Sequence, residues 1–453
     1  MIKLIDTLGQ NDDYFMTADL SPADFYTPKF GIVLRMQSDL LVASSNPSSD
    51  DPNGEWRPLQ YSNWLLDQRY GSRKRPYLAH APKSISLSIF QELTALTNGT
   101  ALNSEAWVVL KSFHDALLRT SQHIYRGQYS SQADHDDAYA MFLFGHHIVE
   151  RWREILLWSW VIGRLGGPQG EWRSNVERMT AWSELGGISR GQISSDVNVV
   201  TSARDTLNEE VVNRALGRKT TGSTSYVFSS VDGYPYAFTQ SGAISSWPQF
   251  TPKSPGSRMR PSTKISECTI QLERCFPESI DTASRAFTNI AFEHPECGDC
   301  VIRSLISSSG PIGLKAFLPD GTRALRSSRP PSSHPLLPLG THWAEINYSL
   351  KDVITPWVGS GAANGIVNIR DWTLRAMSRY HFVLGDTPFE FLELNGAIAS
   401  RNKLSRLSRS IAMHQLAMIC INDDLLHSVE EVDSTFRGWM ENIWPTKLTW
   451  ESP

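Results

Sequence analysis

DHDDAYAMFLFGHHIVERWREILLWSWVIGRLGG (residues 134–167) carries the strongest helical pattern in this 453-residue chain. Acidic residues open the stretch, and a glycine pair followed by Pro168 closes it, in agreement with the charge and capping preferences of helix ends. Its apolar residues lie on several sides, which is typical of a helix that other elements surround. The sequence therefore predicts a central buried helix. His146 and Glu150, four residues apart on it, favour an ordinary hydrogen bond over a metal or catalytic pair.

Around this helix the sequence changes character twice. Residues 83–217 have mostly helical apolar spacing, whereas residues 218–275 combine Ser, Thr, Gly, Pro and Tyr with short alternating runs that predict strands and long loops. Residues 305–342 form a second Ser/Pro/Gly-rich span. Helical patterns return at about 366–381, 402–420 and 428–443. We expect an α+β fold that is predominantly helical, with a helical core, a strand- and loop-rich middle segment and long Ser/Pro/Gly loops.

The same pattern predicts three regions. Residues 1–217 form a mainly helical region with an irregular N-terminal segment, residues 218–345 a strand- and loop-rich region, and residues 346–453 a helical C-terminal region. The alternative is a single compact unit, since the chain length suits either two domains or one large domain with insertions.

Composition excludes several classes of protein. Hydrophobic residues make up 40% of the chain and charged residues 20%, which predicts a packed core and not a disordered chain. Five cysteines in a chain of this length do not indicate a disulfide scaffold. The N-terminus lacks a signal-peptide pattern, and the longest apolar run, residues 155–163, is shorter than the roughly 20 residues that span a bilayer. We expect a cytoplasmic or virion protein that is not secreted and has no membrane partner.

The stretch EHPECGDC (residues 293–300) places three metal donors close together. His294, Cys297 and Cys300 have the residue types and spacing of a structural zinc site, and Cys275 or Cys268 would supply the fourth ligand. Two alternatives remain open from the sequence. The cysteines are either ordinary thiols in a turn at the end of a helix or a redox-active pair. Apart from zinc, no cofactor is expected.

A basic cluster occurs in RYGSRKRP (residues 69–76), beside the rings of Tyr70 and Tyr77. Cations next to aromatic rings suit contact with phosphates and stacked bases, so the cluster predicts contact with RNA or an acidic partner. The alternative is a solvated loop. The predicted contact residues are Arg69, Arg73, Lys74 and Arg75.

The stretch INDDLLHSVEEVD (residues 421–433) offers carboxylates for a divalent cation. Asp423, Asp424 and Glu431 are spaced so that they could hold Mg²⁺ against a diphosphate. Read from Asp423, the stretch resembles the second metal motif of class I terpene synthases, with His427 where that motif has Ser or Thr. Together with the following F-x2-W-x3-IWP (residues 436–445), it also resembles the last block of stealth-type sugar-phosphate transferases. The alternative is a helix start with acidic residues at its positive end.

No motif is complete in its expected structural context, and fifteen tryptophans and several long loops suggest surfaces that other molecules cover. We therefore expect a structural or assembly protein, namely a virion capsid or shell-clamping subunit. It would act without catalysis, through contacts with copies of itself, with other assembly subunits and with RNA. One alternative is a Mg²⁺-dependent enzyme that acts on a diphosphate or sugar-phosphate substrate. Another is a zinc-stabilised intracellular binding module.

Overall fold

The computed structural model describes ten ranges of the chain: residues 7–9, 14–46, 56–96, 138–201, 224–233, 236–238, 244–246, 266–360, 365–422 and 428–446. The α-helices in these ranges are α1 (Trp56–Tyr70), α2 (Leu87–Phe90), α3 (Ala140–Trp158), α4 (Glu177–Glu184), α5 (Leu272–Cys275), α6 (Ala283–Thr288), α7 (Pro295–Ser309), α8 (Leu350–Val353), α9 (Ile369–Arg379), α10 (Ala397–Ala412) and α11 (Val429–Ile443). π-helical turns continue α3 through Ser159–Leu165 and α6 through Asn289–Glu293. Short 3-10 turns lie at Pro22–Asp24, Gln91–Ala95, Ser230–Asp232, Gly310–Phe317 and Trp343–Glu345.

The strands are short and distributed along the whole chain. In order they are β1 (Thr7–Gly9), β2 (Tyr14–Met16), β3 (Tyr26–Thr27), β4 (Gly31–Leu34), β5 (Met36–Val42), β6 (Arg75–Leu78), β7 (Lys83–Ile85), β8 (Ile188–Ser189), β9 (Gln192–Ile193), β10 (Asp196–Thr201), β11 (Ser225–Ser229), β12 (Tyr236–Phe238), β13 (Ile244–Ser246), β14 (Ser266–Gln271), β15 (Ala324–Arg326), β16 (Ile366–Asn368), β17 (Phe382–Asp386), β18 (Phe389–Glu393) and β19 (Met418–Asn422).

Helix α3 lies at the centre of the main hydrophobic core. All 19 of its residues are buried, which confirms the prediction of a central buried helix. Its large rings are also satisfied as hydrogen-bond donors. The indole nitrogen of Trp152 donates to the carbonyl oxygen of Gly233 at 3.0 Å, and that of Trp158 donates to the carbonyl oxygen of Tyr348 at 3.0 Å. A helix that is apolar on every side must be enclosed by neighbours, and here the flanking helices and strands enclose it.

The tryptophans fill the interior of this chain. Six of them have essentially no exposed surface: Trp152, Trp158, Trp160, Trp172, Trp182 and Trp372. Rings that are covered by their own chain leave no surface for a neighbouring molecule. The expectation that the bulky rings lie at intermolecular contacts is therefore wrong for these six.

Two sheets join distant parts of the sequence. A four-stranded sheet has the order β11-β17-β4-β3, and a three-stranded sheet has the order β18-β19-β2. In the second sheet β18 and β19 are parallel, α10 lies between them in the chain, and β2 pairs antiparallel with β19. A parallel pair needs a long crossover connection of this kind, usually a helix. Helices α10 and α11 cover one face of this sheet through a second hydrophobic cluster that includes Leu392, Leu404, Ile419 and Trp439.

The observed architecture is mixed α+β with a helical core, which confirms the predicted fold class. The C-terminal part of the predicted 402–420 helix is different, because Met418–Asn422 forms strand β19. The segment read as irregular in residues 1–80 contains β2 to β6 and α1. Strands from the first and third predicted regions pair within both sheets. Residues 97–137 and 202–217 of the predicted helical region lie outside the described residues. None of the described helices is both long enough and apolar enough to cross a membrane.

Candidate active site

The three-stranded sheet presents a row of three residues on the face opposite α10 and α11. The pairing register aligns Phe391 of β18 with Cys420 of β19, and Cys420 with Tyr14 of β2. Successive side chains of a strand point to opposite faces, so these residues lie away from Leu392 and Ile419, which pack against the helices. The next row on the same face consists of Glu393 and Asn422.

His80 lies over this row of side chains. It belongs to the turn between β6 and β7, and its ring centroid is 5.1 Å from that of Phe391 and 6.4 Å from that of Tyr14. Its Nδ1 atom is 3.9 Å from the sulfur of Cys420, which is 340 residues away in sequence. Its Nε2 atom is hydrogen-bonded to the hydroxyl of Tyr77. The fold therefore assembles four elements around one imidazole.

The surroundings of His80 keep it neutral. Burial, followed by the nearby positive charge of Lys83, lowers the pKa of His80 to about 4. Lys83 itself donates to the carbonyl oxygen of Ala81 at 3.0 Å, which holds its charge next to the turn. A neutral imidazole that remains half-exposed has a nitrogen lone pair available at neutral pH. His80 can therefore accept a proton from a hydroxyl group that approaches this face of the sheet.

The carboxyl ends of β18 and β19 meet at the same edge of the sheet because the two strands are parallel. Helix α10 begins at Ala397, shortly after β18, and α11 begins at Val429, after β19. In α/β arrangements, ligands bind at the carboxyl edge of parallel strands, and helix N-termini there favour negatively charged groups. This edge, next to His80, is thus the part of the fold best suited to a phosphorylated ligand.

The acidic stretch predicted to bind Mg²⁺ adjoins this edge in sequence. Asn422 is the last residue of β19, but Asp423, Asp424 and His427 lie outside the described residues. Glu431 is described. It lies in the first turn of α11, is exposed and forms a 3.7 Å ion pair with Arg401 of α10. The Mg²⁺ site therefore stays a prediction.

The arginines of the basic cluster are interior residues. Arg69, Arg73 and Arg75 are buried, and Lys74 alone of the predicted set is exposed. Their guanidinium groups pair with carboxylates, because a buried charge needs a partner of opposite sign. The pairs are Arg69 with Glu154 at 2.8 Å, Arg73 with Asp299 at 3.0 Å, and Arg75 with Asp67 at 2.6 Å and with Glu150 at 3.0 Å. The predicted contact of these three arginines with RNA is wrong, because their side chains are not accessible.

This buried network supports the candidate site from behind. Strand β6 carries Tyr77, and the two residues before Tyr77 are held by α3. Glu150 pairs with Arg75, and the Nε2 atom of His146 donates to the carbonyl oxygen of Pro76 at 2.8 Å. Burial, followed by the charge of Arg75, lowers the pKa of His146 to about 3. His146 and Glu150 thus bond to β6, and they fix the strand that positions Tyr77 against His80.

The cysteines read as zinc ligands are paired with one another. Cys268 of β14 forms a disulfide with Cys300, and Cys275 of α5 forms one with Cys297, so two bonds join this segment to α7. Disulfide sulfurs are not thiolate ligands, and His294 is 3.6 Å from the carboxylate of Glu296. Within the described ranges no group of three His, Cys, Asp or Glu is arranged to hold a metal ion. The zinc site gains no support from this arrangement.

The sequence analysis did not single out His80, Tyr77, Tyr14 or Phe391. They come from separate elements, and no local spacing links them. One signal in the sequence points to their neighbourhood. Asn-Asp-Asp occurs twice, at residues 11–13 directly before β2 and at residues 422–424 from the end of β19. Residues 11–13, like Asp423 and Asp424, lie outside the described residues.

Comparison with known proteins gives a consistent class of relative. No protein-family model matches the chain. A 3-O-alpha-D-mannopyranosyl-alpha-D-mannopyranose xylosylphosphotransferase of Cryptococcus neoformans var. grubii is 28% identical over 468 aligned residues, which cover 98% of this chain and 49% of the relative. Proteins of the same name from two strains of Cryptococcus neoformans var. neoformans serotype D, B-3501A and JEC21, are 28% identical over 470 residues, with the same coverage. The chain is similar to xylosylphosphotransferases along almost all of its length. It spans about half the length of these curated relatives.

These relatives correct the function predicted from the sequence. A non-catalytic virion subunit that binds copies of itself, other assembly subunits and RNA is wrong, because the similar proteins are enzymes that act on sugars. The buried tryptophans and arginines give the physical reason for the error. Residue types that suggested contact surfaces form the interior of one folded chain instead.

Proposed function

We propose that this protein is a sugar-phosphate transferase that joins a sugar phosphate to a hydroxyl group of a glycan acceptor. The relatives provide the substrate class, since their name specifies a xylosyl phosphate group and a mannose disaccharide. The observation that carries the proposal is the position of His80. It is a neutral, half-exposed imidazole over the parallel pair β18 and β19, next to the edge suited to a phosphorylated ligand.

The proposed reaction balances as a single displacement at phosphorus. The donor is a sugar joined through a diphosphate to a nucleoside. An oxygen of the acceptor hydroxyl forms a bond to the phosphorus that carries the sugar, and the bond from that phosphorus to the nucleoside monophosphate breaks. His80 accepts the hydroxyl proton as the new bond forms. The products are a phosphodiester-linked glycan and a nucleoside monophosphate, and His80 then releases its proton to water.

Charge on the donor diphosphate needs neutralisation. The N-termini of α10 and α11 provide partial positive charge near the edge. The amide oxygen of Asn422 and the carboxylates of Asp423 and Asp424 are hard oxygen donors of the kind that Mg²⁺ prefers, and these residues would hold such an ion. A bound Mg²⁺ would supply positive charge to the diphosphate oxygens.

We further propose that the protein works in an oxidising compartment. Two disulfides join β14 and α5 to α7, and such bonds persist where thiols are not kept reduced. Glycan substrates of the kind named for the relatives are compatible with the same setting. This proposal replaces the cytoplasmic location expected from the sequence.

The test is a transfer assay with the full chain. The protein is incubated with Mg²⁺, α-1,3-linked mannobiose and a panel of nucleoside diphosphate sugars that includes the xylose derivative. Phosphorus NMR and mass spectrometry then follow the new phosphodiester and the released nucleoside monophosphate. His80→Asn is expected to lower the rate at least about 100-fold. His414→Asn is the matched control, because His414 is exposed and adopts a positive φ that asparagine tolerates. The proposal fails if no donor in the panel is consumed, or if His80→Asn retains the full rate.

A further inference from the structure

An aromatic strip runs across the candidate site, and the term is used here for Trp56, Tyr77, His80 and Phe391. Neighbouring ring centroids along the strip are separated by 5.9 Å, 5.4 Å and 5.1 Å. The strip begins on α1, continues through β6 and the following turn, and ends on β18. His80 therefore has an aromatic surface on both of its sides.

The two ends of the aromatic strip are open to solvent. Trp56 is 39% exposed and Phe391 is 40% exposed, whereas Tyr77 between them is 8% exposed. Among the exposed large hydrophobic residues of the described chain, these two alone carry aromatic rings. Exposed rings of this size lose hydrophobic stabilisation unless a ligand covers them, and they are characteristic of binding surfaces. Their position on either side of the same histidine points to one ligand that extends in both directions from it.

We propose that the aromatic strip is the binding platform for the acceptor glycan, with at least one sugar unit on each side of His80. This inference rests on the proposed transferase function. The apolar C–H faces of pyranose rings pack on aromatic rings, while their hydroxyl groups bind polar neighbours. Glu393 offers such a neighbour, because it is exposed and lies two residues beyond Phe391 on the same face of β18. The acceptor hydroxyl that faces His80 would then lie within an extended glycan and not at its free end.

The length of the strip supports an oligosaccharide over a single sugar. Three successive ring spacings exceed the width of one pyranose, so one sugar could not cover both Trp56 and Phe391. The acceptor in the name of the relatives is a disaccharide. Phosphate-binding features, in contrast, lie at the carboxyl edge of β18 and β19, where α10 and α11 begin. The diphosphate donor is therefore assigned to that edge and the glycan to the strip.

The experiment measures ligand binding separately from turnover. Calorimetric titrations of the full chain with α-1,3-linked mannobiose and with a nucleoside diphosphate are compared for wild type, Trp56→Ala and Phe391→Ala. Each alanine variant is expected to weaken mannobiose binding by roughly tenfold or more and to leave nucleoside diphosphate binding unchanged. Trp56→Phe and Phe391→Tyr, which keep a ring, should retain most of the affinity. Leu374→Ala is the control, because Leu374 is 43% exposed and is not part of the strip.

The possible results separate this inference from the proposed function. Loss of mannobiose binding in both alanine variants, in a protein that transfers no sugar phosphate, would support the platform and reject the transferase. Normal mannobiose binding in both variants, or no binding to wild type, would reject the platform even in an active enzyme. A loss of nucleoside diphosphate affinity would also reject it, because the strip would then hold the nucleoside of the donor.

Discussion

The hydroxyl of Tyr77 is hydrogen-bonded to the Nε2 atom of His80, and the Nδ1 atom of the same ring faces the sulfur of Cys420 at 3.9 Å. Both nitrogens of the imidazole are therefore oriented by neighbours from different elements. Tyr77 itself is fixed through β6, whose residues Arg75 and Pro76 bond to α3. The buried helix and the half-exposed histidine thus belong to one continuous arrangement.

Removal of the Tyr77 hydroxyl tests this relationship. Tyr77→Phe keeps the ring between Trp56 and His80 but deletes the hydrogen bond to Nε2. We expect kcat of the proposed transfer to fall by roughly tenfold, because His80 loses its orientation, and the KM of the glycan to change little. Steady-state kinetics with varied acceptor give both constants. Tyr26→Phe, on the distant strand β3, should leave both unchanged. A rise in KM with an unchanged kcat would show that Tyr77 contributes to binding only.

The pH dependence of transfer reports the charge state of His80. Burial and the nearby Lys83 lower the pKa of His80 to about 4, so the neutral form that accepts a proton predominates well below neutral pH. We expect kcat/KM to stay flat as the pH falls from about 8 to about 5 and to decline as it approaches 4. An ordinary histidine would lose activity near its usual pKa of 6.5. Initial rates across this range, with unfolding monitored in parallel, distinguish the two profiles.

Stability should also depend on pH through His146. Burial, followed by the charge of Arg75, lowers the pKa of this residue from 6.5 to about 3 in the folded state. The unfolded chain then binds a proton more readily than the folded chain. The contribution of His146 to the free energy of unfolding is therefore complete above pH 6.5. It decreases as the pH falls toward 3, by about 1.4 kcal/mol per pH unit.

Urea unfolding at several pH values measures this contribution. His146→Gln keeps a donor for the carbonyl oxygen of Pro76 but removes the titrating group. The difference in stability between variant and wild type should shift in favour of the variant as the medium becomes more acidic. A difference that is independent of pH would contradict a lowered pKa for His146.

Local sequence signals were sufficient for the elements that depend on local periodicity. The pattern of residues 134–167 predicts α3, and the C-terminal patterns predict α9 and α11, because each helix buries residues at regular spacing. Strand β19 was missed for a related reason. Met418–Asn422 is a short apolar run, and such a run is compatible with a buried strand or with the end of a helix. Its partners, β18 and β2, are not recognisable from local spacing.

The candidate site could not be predicted in the same way. His80 meets Cys420 across 340 residues of sequence, and only the folded sheet brings them together. The cysteines show a second kind of error. Cys297 and Cys300 have the spacing of metal ligands, but three residues is also one turn of a helix, so both face the strand and helix that carry Cys268 and Cys275. A spacing compatible with two chemistries does not identify either.

The disulfides predict a specific number of reactive thiols. In the purified, non-reduced protein, denaturation should expose one alkylatable cysteine, Cys420, and reduction should expose all five. Reduction should also lower stability by about 3 kcal/mol for each bond, since each closes a loop of moderate length. Mass spectrometry after alkylation counts the thiols. Five reactive thiols without reductant, together with bound zinc in metal analysis, would reverse this assignment and revive the zinc site.

Asp299 offers the sharpest test of the buried ionic network. Its two carboxylate oxygens accept from Arg73 at 3.0 Å and from Arg153 at 2.5 Å, and all three side chains are almost fully buried. Asp299→Ala would leave two buried guanidinium groups without this partner, so we expect the free energy of unfolding to fall by about 3–5 kcal/mol. Chemical denaturation measures the loss.

The matched control for Asp299 lies one turn earlier on the same helix. Glu296 also pairs with an arginine, Arg274 at 2.6 Å, but both side chains are substantially exposed. Glu296→Ala should change the free energy of unfolding by no more than about 1 kcal/mol, because water replaces an exposed partner. Equal losses in the two variants would mean that helix α7 itself, and not the burial of the charges, determines the effect. A large loss confined to Asp299→Ala would establish that the arginines once read as an RNA-binding cluster serve the interior that holds β6 and, through it, His80.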